Sequence, residues 1–483
     1  MPYSVTDLLN ILPIAVLVAW ACLLLLMDLF IPKQHKGVTA MLAVLGIIAA
    51  LVLTVRQFGD QALAFNAMLI VDGYSSFLNG LALLSGLLGI ILAYDHLKRM
   101  GLARGEYYVL LLFSVSGAMM MASAADLIVV FLSLELLSIP LYILAAFGQP
   151  NPMSEEAGMK YFLLGAFAGG FLLYGIALVY GATGYTGLAQ IVSAVQEGVQ
   201  TPIYLLLGAA LILIGLGFKV AAVPFHMWTP DVYQGAPTSV TAFMAAIAKI
   251  GGFAALLRVL VIAFPGLSMD LSPVLWAIVV ATLLLGNLAA IAQQNIKRML
   301  AYSSISHAGF ILMALVPYGQ QEVFKDSVAA VLFYLLAFAI ASFGSWGVVM
   351  ALERKEGKGL ALSDYAGLGK KHPGLAAAML VFMLSFTGVP PTLGFAGKFF
   401  LFRAVLEGGY LYLALVGVLA SLISAYYYLR VVIIMYMQPG EPVVHRERWL
   451  NATTAVMAFG TILLFFISTP LFELAARAVL NLF

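Results

Sequence analysis

Three stretches decide how this chain folds: GLGFKVAAVPF (215–225), TAFMAAIAKIGGFAALL (241–257) and TLGFAGKFFLF (392–402). Each is a long apolar run interrupted by one lysine, Lys219, Lys249 or Lys398. A fourth run, VVFLSLELLSIPLYI (129–143), is interrupted by Glu135. A charged side chain at the centre of a bilayer costs about 2.5 to 3.5 kcal/mol on insertion scales, so function is the default reading of such a residue. An acid and three bases strung through a hydrophobic slab is the pattern that passing a proton across a membrane requires.

Composition points the same way. Hydrophobic residues make up 63% of the 483, charged residues only 10%, and mean hydropathy is +1.04; soluble domains carry roughly 25% charged residues. A net charge of +2 without a long basic run argues against nucleic acid as a partner and leaves the lipid bilayer. The single cysteine, Cys22, excludes an intrachain disulfide or a cysteine cluster and is expected to pack within the first span. The N-terminus, MPYSVTDLLN, lacks the basic region of a cleavable signal, so the run from Leu8 to Phe30 reads as a retained helix. No Walker loop, dinucleotide fingerprint or metal-ligand cluster is present, so the chain is expected to bind no cofactor and no metal itself. Gly165, Gly169 and Gly170 in GAFAGGF read as close helix packing.

Apolar segments of about 20 residues predict an all-α polytopic membrane protein of about fourteen spans, running from 8–30 to 452–480. The stretch Val109–Phe147 must be two of them, because 39 helical residues reach about 58 Å against a hydrocarbon core of about 30 Å; Asp126 marks the turn. Fourteen crossings place both termini on one side. Connections after odd-numbered spans then hold fourteen lysines and arginines, and the even ones with the termini hold four, Arg56, Lys325, Arg403 and Arg477. That asymmetry puts the odd connections in the cytoplasm and both termini outside it.

Two spans are expected to be broken. Lys219 lies five residues before Pro224, and Lys398 seven after Pro391. Proline removes a backbone donor and clashes with the preceding turn, and irregular backbone survives at membrane depth only where it is buried in protein or lines a wet cavity. Broken helices in corresponding positions of two halves are the usual pointer to a transport site. Loss of solvent disfavours a charged amine and a nearby carboxylate restores it, so Glu135 is the natural partner of Lys219. Lys249, twelve residues into its span, has no interface within reach. Lys160 and Arg430 lie nearer span ends, where a snorkelling head group competes with a proton-carrying role; Arg258 reads as an anchor. His226 and His307 are secondary relay candidates, since imidazole titrates near pH 6.5, against the commoner role of a hydrogen-bonded structural group. His35, His96, His372 and His445 fall in connections and are expected to be solvated.

The strings FKVAAVPFHMWTPDVYQGAPTSV (218–240), NIKRMLAYSSISHAGF (295–310) and GVPPTLGFAGKF (388–399) resemble the antiporter-like subunits of respiratory complex I, the NADH:quinone oxidoreductase, a family shared with the Mrp-type cation/proton antiporters. VYQGAP (232–237) and the lysine at 398 resemble its N-type branch most closely. The resemblance covers essentially the whole chain. It implies two five-helix repeats of inverted topology, 107–261 and 273–436, each with one broken helix. It implies Glu135 and Lys219 as the charge pair of one half-channel, Lys249 as the central relay and Lys398 as the outlet group. It further implies other complex I membrane subunits as partners, with NADH, FMN, iron–sulfur clusters and quinone bound by partner subunits, and an inner-membrane location.

Two other readings use the same residues: a sodium/proton antiporter subunit of the Mrp type, and a membrane scaffold whose lysines are paired structural groups. Orientation is checked by cysteine labelling. A membrane-impermeant reagent added outside should leave a cysteine placed in the 353–371 loop unmodified, and modification there would reverse the assignment.

Overall fold

The computed structural model describes residues 5–479, apart from the side chains of Gln321 and Glu356. The two chain ends, and Leu480 at the limit of the last predicted span, lie outside the described residues.

The chain begins with α1 (Val5–Asn10), α2 (Leu12–Asp28) and α3 (Lys36–Arg56), followed by a small antiparallel hairpin of β1 (Ala62–Ala64) and β2 (Leu69–Val71) and by α4 (Gly73–Met100). Next come α5 (Glu106–Ser123), α6 (Leu127–Ala145), α7 (Pro152–Thr183), the short α8 (Leu188–Glu197), α9 (Pro202–Val220), α10 (Trp228–Gly235) and α11 (Thr238–Arg258). The second half holds α12 (Ser268–Ile291), α13 (Ile296–Met313), α14 (Gln321–Leu352), α15 (Leu368–Lys371), α16 (Pro373–Thr387), α17 (Leu393–Glu407) and α18 (Leu411–Met437). It closes with α19 (Arg448–Phe466) and α20 (Ser468–Ala478).

Among the described residues, eleven helices are long and apolar enough to cross a membrane. The protein is therefore an all-α polytopic membrane protein with one hairpin that the apolar runs did not announce. Asp126 divides the 109–147 stretch as expected: its carboxylate caps α6 by accepting from the Ile128 amide at 2.7 Å. Cys22, by contrast, is exposed on the lateral face of α2 and does not pack inside.

Connections sort onto two faces. Short bridges join Leu69 to Ala124 and Asp126 to Gly187 near the end of α11, where Arg258 meets Asp72 and Ala122, and Asn295 to Ala361 near its start, where Lys297 meets Ala236. Between the faces, α11 is buried along its whole length and packs against α4, α5, α6, α9 and α14, so it forms the axis of the bundle. With lipid outside, helices cannot be driven together by hydrophobicity and must gain from close contact. At the crossing of α7 and α9, a Cβ on Gly175 would come within 2.7 Å of the Gly208 carbonyl oxygen, and one on Gly208 within 2.8 Å of that of Gly175.

Arg258 is no interfacial anchor. It is buried at the end of α11, where its guanidinium forms a two-pronged pair with Asp72 at 3.0 and 3.1 Å and donates to the Ala122 carbonyl at 2.7 Å. Asp72 also caps α4, so one carboxylate joins a helix start to the central helix. Arg430 is half-buried and donates to the Ile291 and Gln293 carbonyls where α12 ends, so its head group caps a helix at a span end.

Candidate functional site

Both expected breaks are present. The first separates α9 from α10 over residues 221–227, and Lys219 sits in the last turn before it. The carbonyls and amides freed there are met by protein: Trp228 donates from Nε1 to the Phe218 carbonyl at 3.0 Å, and Thr282 on α12 accepts from the Val223 amide at 2.9 Å. The second separates α16 from α17 over residues 388–392. Here the lysine itself does the capping, since Lys398 Nζ donates to the Thr387 carbonyl at 3.0 Å and to Ser421 Oγ at 3.2 Å. Gly388 holds the turn at φ +89°, and a Cβ there would lie 2.9 Å from the Lys398 stem. Glycine meets both demands at that position.

All three lysines are buried, at 2 to 4% exposure. Their surroundings differ. Lys219 Nζ donates to Ser138 Oγ at 2.7 Å and Tyr161 OH at 3.2 Å, and Tyr161 stacks on Trp228 at 4.4 Å, which ties the lysine to the break. Glu135 lies one turn before Ser138 on α6, close enough to act on Lys219 through space but outside direct ion-pair contact. Room for its carboxylate comes from Gly169, whose added Cβ would stand 3.0 Å from Glu135 Oε1. Gly165 likewise lies against Tyr142, whereas Gly170 faces open space and has no packing role.

Lys249 lies at the middle of the buried α11. Among the described residues its ammonium makes no hydrogen bond or ion pair, and it rests 5.7 Å from the centre of the Phe338 ring. Phe338 in turn lies 5.2 Å from the ring of His307. His307 is no isolated histidine: Nδ1 is 2.7 Å from Tyr334 OH and Nε2 3.0 Å from Tyr428 OH, linking α13 to α14 and α18. It stands in the field of both Lys249 and Lys398. Lys398 completes the series over the Phe310 ring at 4.3 Å. The fold thus places half-buried Glu135 and buried Lys219, Lys249, His307 and Lys398 in sequence across α6, α9, α11, α13 and α17, with Phe338 and Phe310 between the last three.

The other two candidates fall elsewhere. His226 lies half-buried in the first break, and among the described residues its side chain makes no hydrogen bond to His307, Tyr334 or Tyr428. Lys160 is 41% exposed and pairs at 2.7 Å with both Glu156 and Asp231; Arg298 shares Asp231 at 2.7 Å. It belongs to a surface ion-pair cluster.

One group was misplaced by sequence reasoning. His96, expected in a solvated connection, is buried together with Lys297 of the α12–α13 junction, and His96 Nε2 lies 2.7 Å from Glu353 Oε2. Lys297 donates to the Ala236 carbonyl at 2.7 Å. These side chains floor a cleft of about 380 Å³ with exposed Asn151 and Lys355 at its rim. The pairing spans 257 positions, and only the unbroken helical pattern leading into Glu353 hinted at its burial.

The chain thus carries two helix breaks, each with a buried lysine, and a third buried lysine on the helix between them. A family model described as NADH:quinone oxidoreductase/Mrp antiporter, TM matches residues 124–424, and the chain belongs to that family. It is 45% identical over 475 residues to NADH-quinone oxidoreductase subunit N 2 of Roseiflexus castenholzii, covering 97% of this chain and 95% of that one. Against subunit N of Trichlorobacter lovleyi the identity is 44%, with 97% and 96% covered. Among solved structures, a chain of respiratory complex I from Thermus thermophilus with bound Aureothin superposes with a TM-score of 0.82 at 35% identity, covering 96% of this chain and 99% of that one. A chain of the Mrp complex from a Dietzia species shares the fold, with a TM-score of 0.83 at 22% identity over 98% and 97% of the two chains.

Glu353 gives the site a pH signature outside the spans. Burial pushes its carboxyl up, but the hydrogen bond and charge of His96, with the charge of Lys297, more than reverse this and hold it at about 2. An unfolded glutamate titrates near ~4.3. Because the folded value is the lower one, the stabilisation is complete above ~pH 4.3 and is lost as pH falls through about 2. Thermal melts in detergent should show Glu353→Gln less stable at neutral pH, with the difference shrinking as pH drops from ~5 to ~2. A constant difference across that range would mean that the carboxylate charge contributes nothing.

Proposed function

We propose that this chain is a proton-translocating membrane subunit of an NADH:quinone oxidoreductase, driven by redox chemistry in partner subunits. The observation that carries the reading is Lys249, buried at the axis of the bundle with no protein hydrogen-bond partner among the described residues. A buried polar group that is merely structural is normally hydrogen-bonded. This lysine is instead left free to exchange a proton with bound water and with its neighbours, which weighs against the scaffold reading. The subunit N relatives and their near-full coverage favour the oxidoreductase over a free-standing antiporter.

In this scheme Glu135 acts on Lys219 through space, and changes in that interaction set when Lys219 holds its proton. At 4 Å two unit charges interact by about 1 kcal/mol in water and about 4 kcal/mol at an effective dielectric constant of 20, so a modest separation shifts the balance. Lys249 passes the proton on, His307 with Tyr334 and Tyr428 bridges towards the second break, and Lys398 releases it. Lys160 and His226, outside the buried region, serve at most in supply from the surface. The chain holds no cofactor of its own in this scheme; NADH, FMN, iron–sulfur clusters and quinone belong to partner subunits, and other membrane subunits of the complex flank this one.

The finer architecture is part of the proposal. Adding α2, α13 and the α16–α17 pair to the eleven apolar helices, and counting α9–α10 as one span, gives fourteen crossings. The sorting of alternate connections onto two faces supports that count. Residues 107–261 and 273–436 then form two five-helix repeats of inverted topology, each broken in its fourth helix. Both termini face away from the cytoplasm of an inner membrane, and the cleft over His96 and Glu353 opens on the cytoplasmic side.

The test uses Lys398 in the assembled complex. Lys398→Ala should lower proton output and coupled quinone reduction by about a hundredfold, the low end of the range lost with a proton-transfer group, while Lys398→Glu should keep part of both because a carboxyl also titrates. Full activity of Lys398→Ala with normal assembly would remove Lys398 from the path. Dependence of pumping on sodium at constant pH would transfer the scheme to the antiporter alternative.

A further inference from the structure

Outside the site described above, a trench of about 660 Å³ lies between α16 and α19, a size typical of ligand pockets (~300–1,000 Å³). Its walls are short apolar side chains: Gly374, Ala377 and Ala378 from α16, with Ala455 and Ala458 from α19. It runs down to Val381 and Ile462, about 12 Å along α16 from Pro373 and about 16 Å along α19 from Asn451 at ~1.5 Å per residue. That depth equals one leaflet, half of a ~30 Å hydrocarbon core. Its upper end is basic, formed by Lys371, His372 and Arg446.

We propose that this trench binds an anionic phospholipid, one acyl chain lying between α16 and α19 and the phosphate held by Lys371 and Arg446. The two halves of the cavity demand different chemistry in one molecule: below Asn451 the walls are apolar apart from Thr454, whose hydroxyl already donates to the Leu450 carbonyl, and an apolar occupant alone leaves the basic mouth unused. Arg446 forms no ion pair or hydrogen bond among the described residues and is free to meet a phosphate. Lys371 pairs with Glu441 at 3.0 Å, but both side chains are more than half exposed, and such a pair is worth little, so a lipid phosphate can take the place of that carboxylate. The start of α16 at Pro373 adds the positive end of a fifteen-residue helix to the same spot. Gly374 keeps the entrance open, since a Cβ there would meet no atom within 4 Å.

The experiment is photo-crosslinking on the assembled complex in mild detergent, using phosphatidylglycerol with a photoactivatable acyl chain and locating the label by peptide mass spectrometry. Label should appear on peptides of α16 and α19, unlabelled phosphatidylglycerol should compete, and phosphatidylcholine of the same chains should compete poorly. Glycerol 3-phosphate should not compete, because the apolar trench contributes most of the binding. Lys371→Gln with Arg446→Gln should weaken competition by phosphatidylglycerol about fivefold per charge removed. Gly374→Leu fills the entrance without touching the basic residues and should abolish labelling in a complex that still assembles. Equal competition by both lipids, competition by glycerol 3-phosphate, or labelling unchanged in both variants would overturn the proposal, as would a partner subunit's helix seated in the trench.

Discussion

A backbone group left bare in the middle of a membrane costs several kcal/mol, and this structure depends on how that cost is avoided at its two helix breaks. Around residue 221 a tryptophan and a threonine from other segments take up the freed carbonyl and amide. Around residue 388 the capping group is Lys398 itself. A break that must be closed by side chains is also a place where polar side chains, and water with them, can reach membrane depth. The same device that lets a helix stop halfway creates the environment in which a lysine can be kept and used.

From this follows the arrangement of the bundle. The breaks flank α11, the most deeply buried helix, and its only basic residue before Arg258 is Lys249. Lys219 packs its stem against Gly252, one turn from Lys249 along α11, while on the other side Phe338 and His307 separate Lys249 from Lys398. Lys219 and Lys398 have protein hydrogen-bond partners; Lys249 has none among the described residues. Outer lysines with fixed partners and a central one without them are the gradation on which the proposed proton path rests.

Much of this was legible in the sequence because charge in an apolar run and proline beside lysine are local signals. Lys219, Lys249, Lys398, Glu135 and the two breaks needed no long-range information, and the split at Asp126 needed only a length. What the sequence left open depends on pairings between distant positions. His96 meets Glu353 across 257 residues and Arg258 meets Asp72 across 186, so neither could be told from a solvated or anchoring residue by its neighbours alone. His307 was visible as a histidine in a helix, but its two tyrosine partners, on α14 and α18, were not. Ser138 and Tyr161 around Lys219 were hidden for the same reason.

The central claim is that Lys249 works by losing and regaining a proton, not by supplying a fixed charge. Arginine would keep the positive charge but does not release its proton, so Lys249→Arg separates the two roles at the same position. Protons moved per quinone reduced, measured in proteoliposomes of the assembled complex, should fall sharply together with turnover in this variant. Pumping and turnover equal to the parent complex would contradict the account.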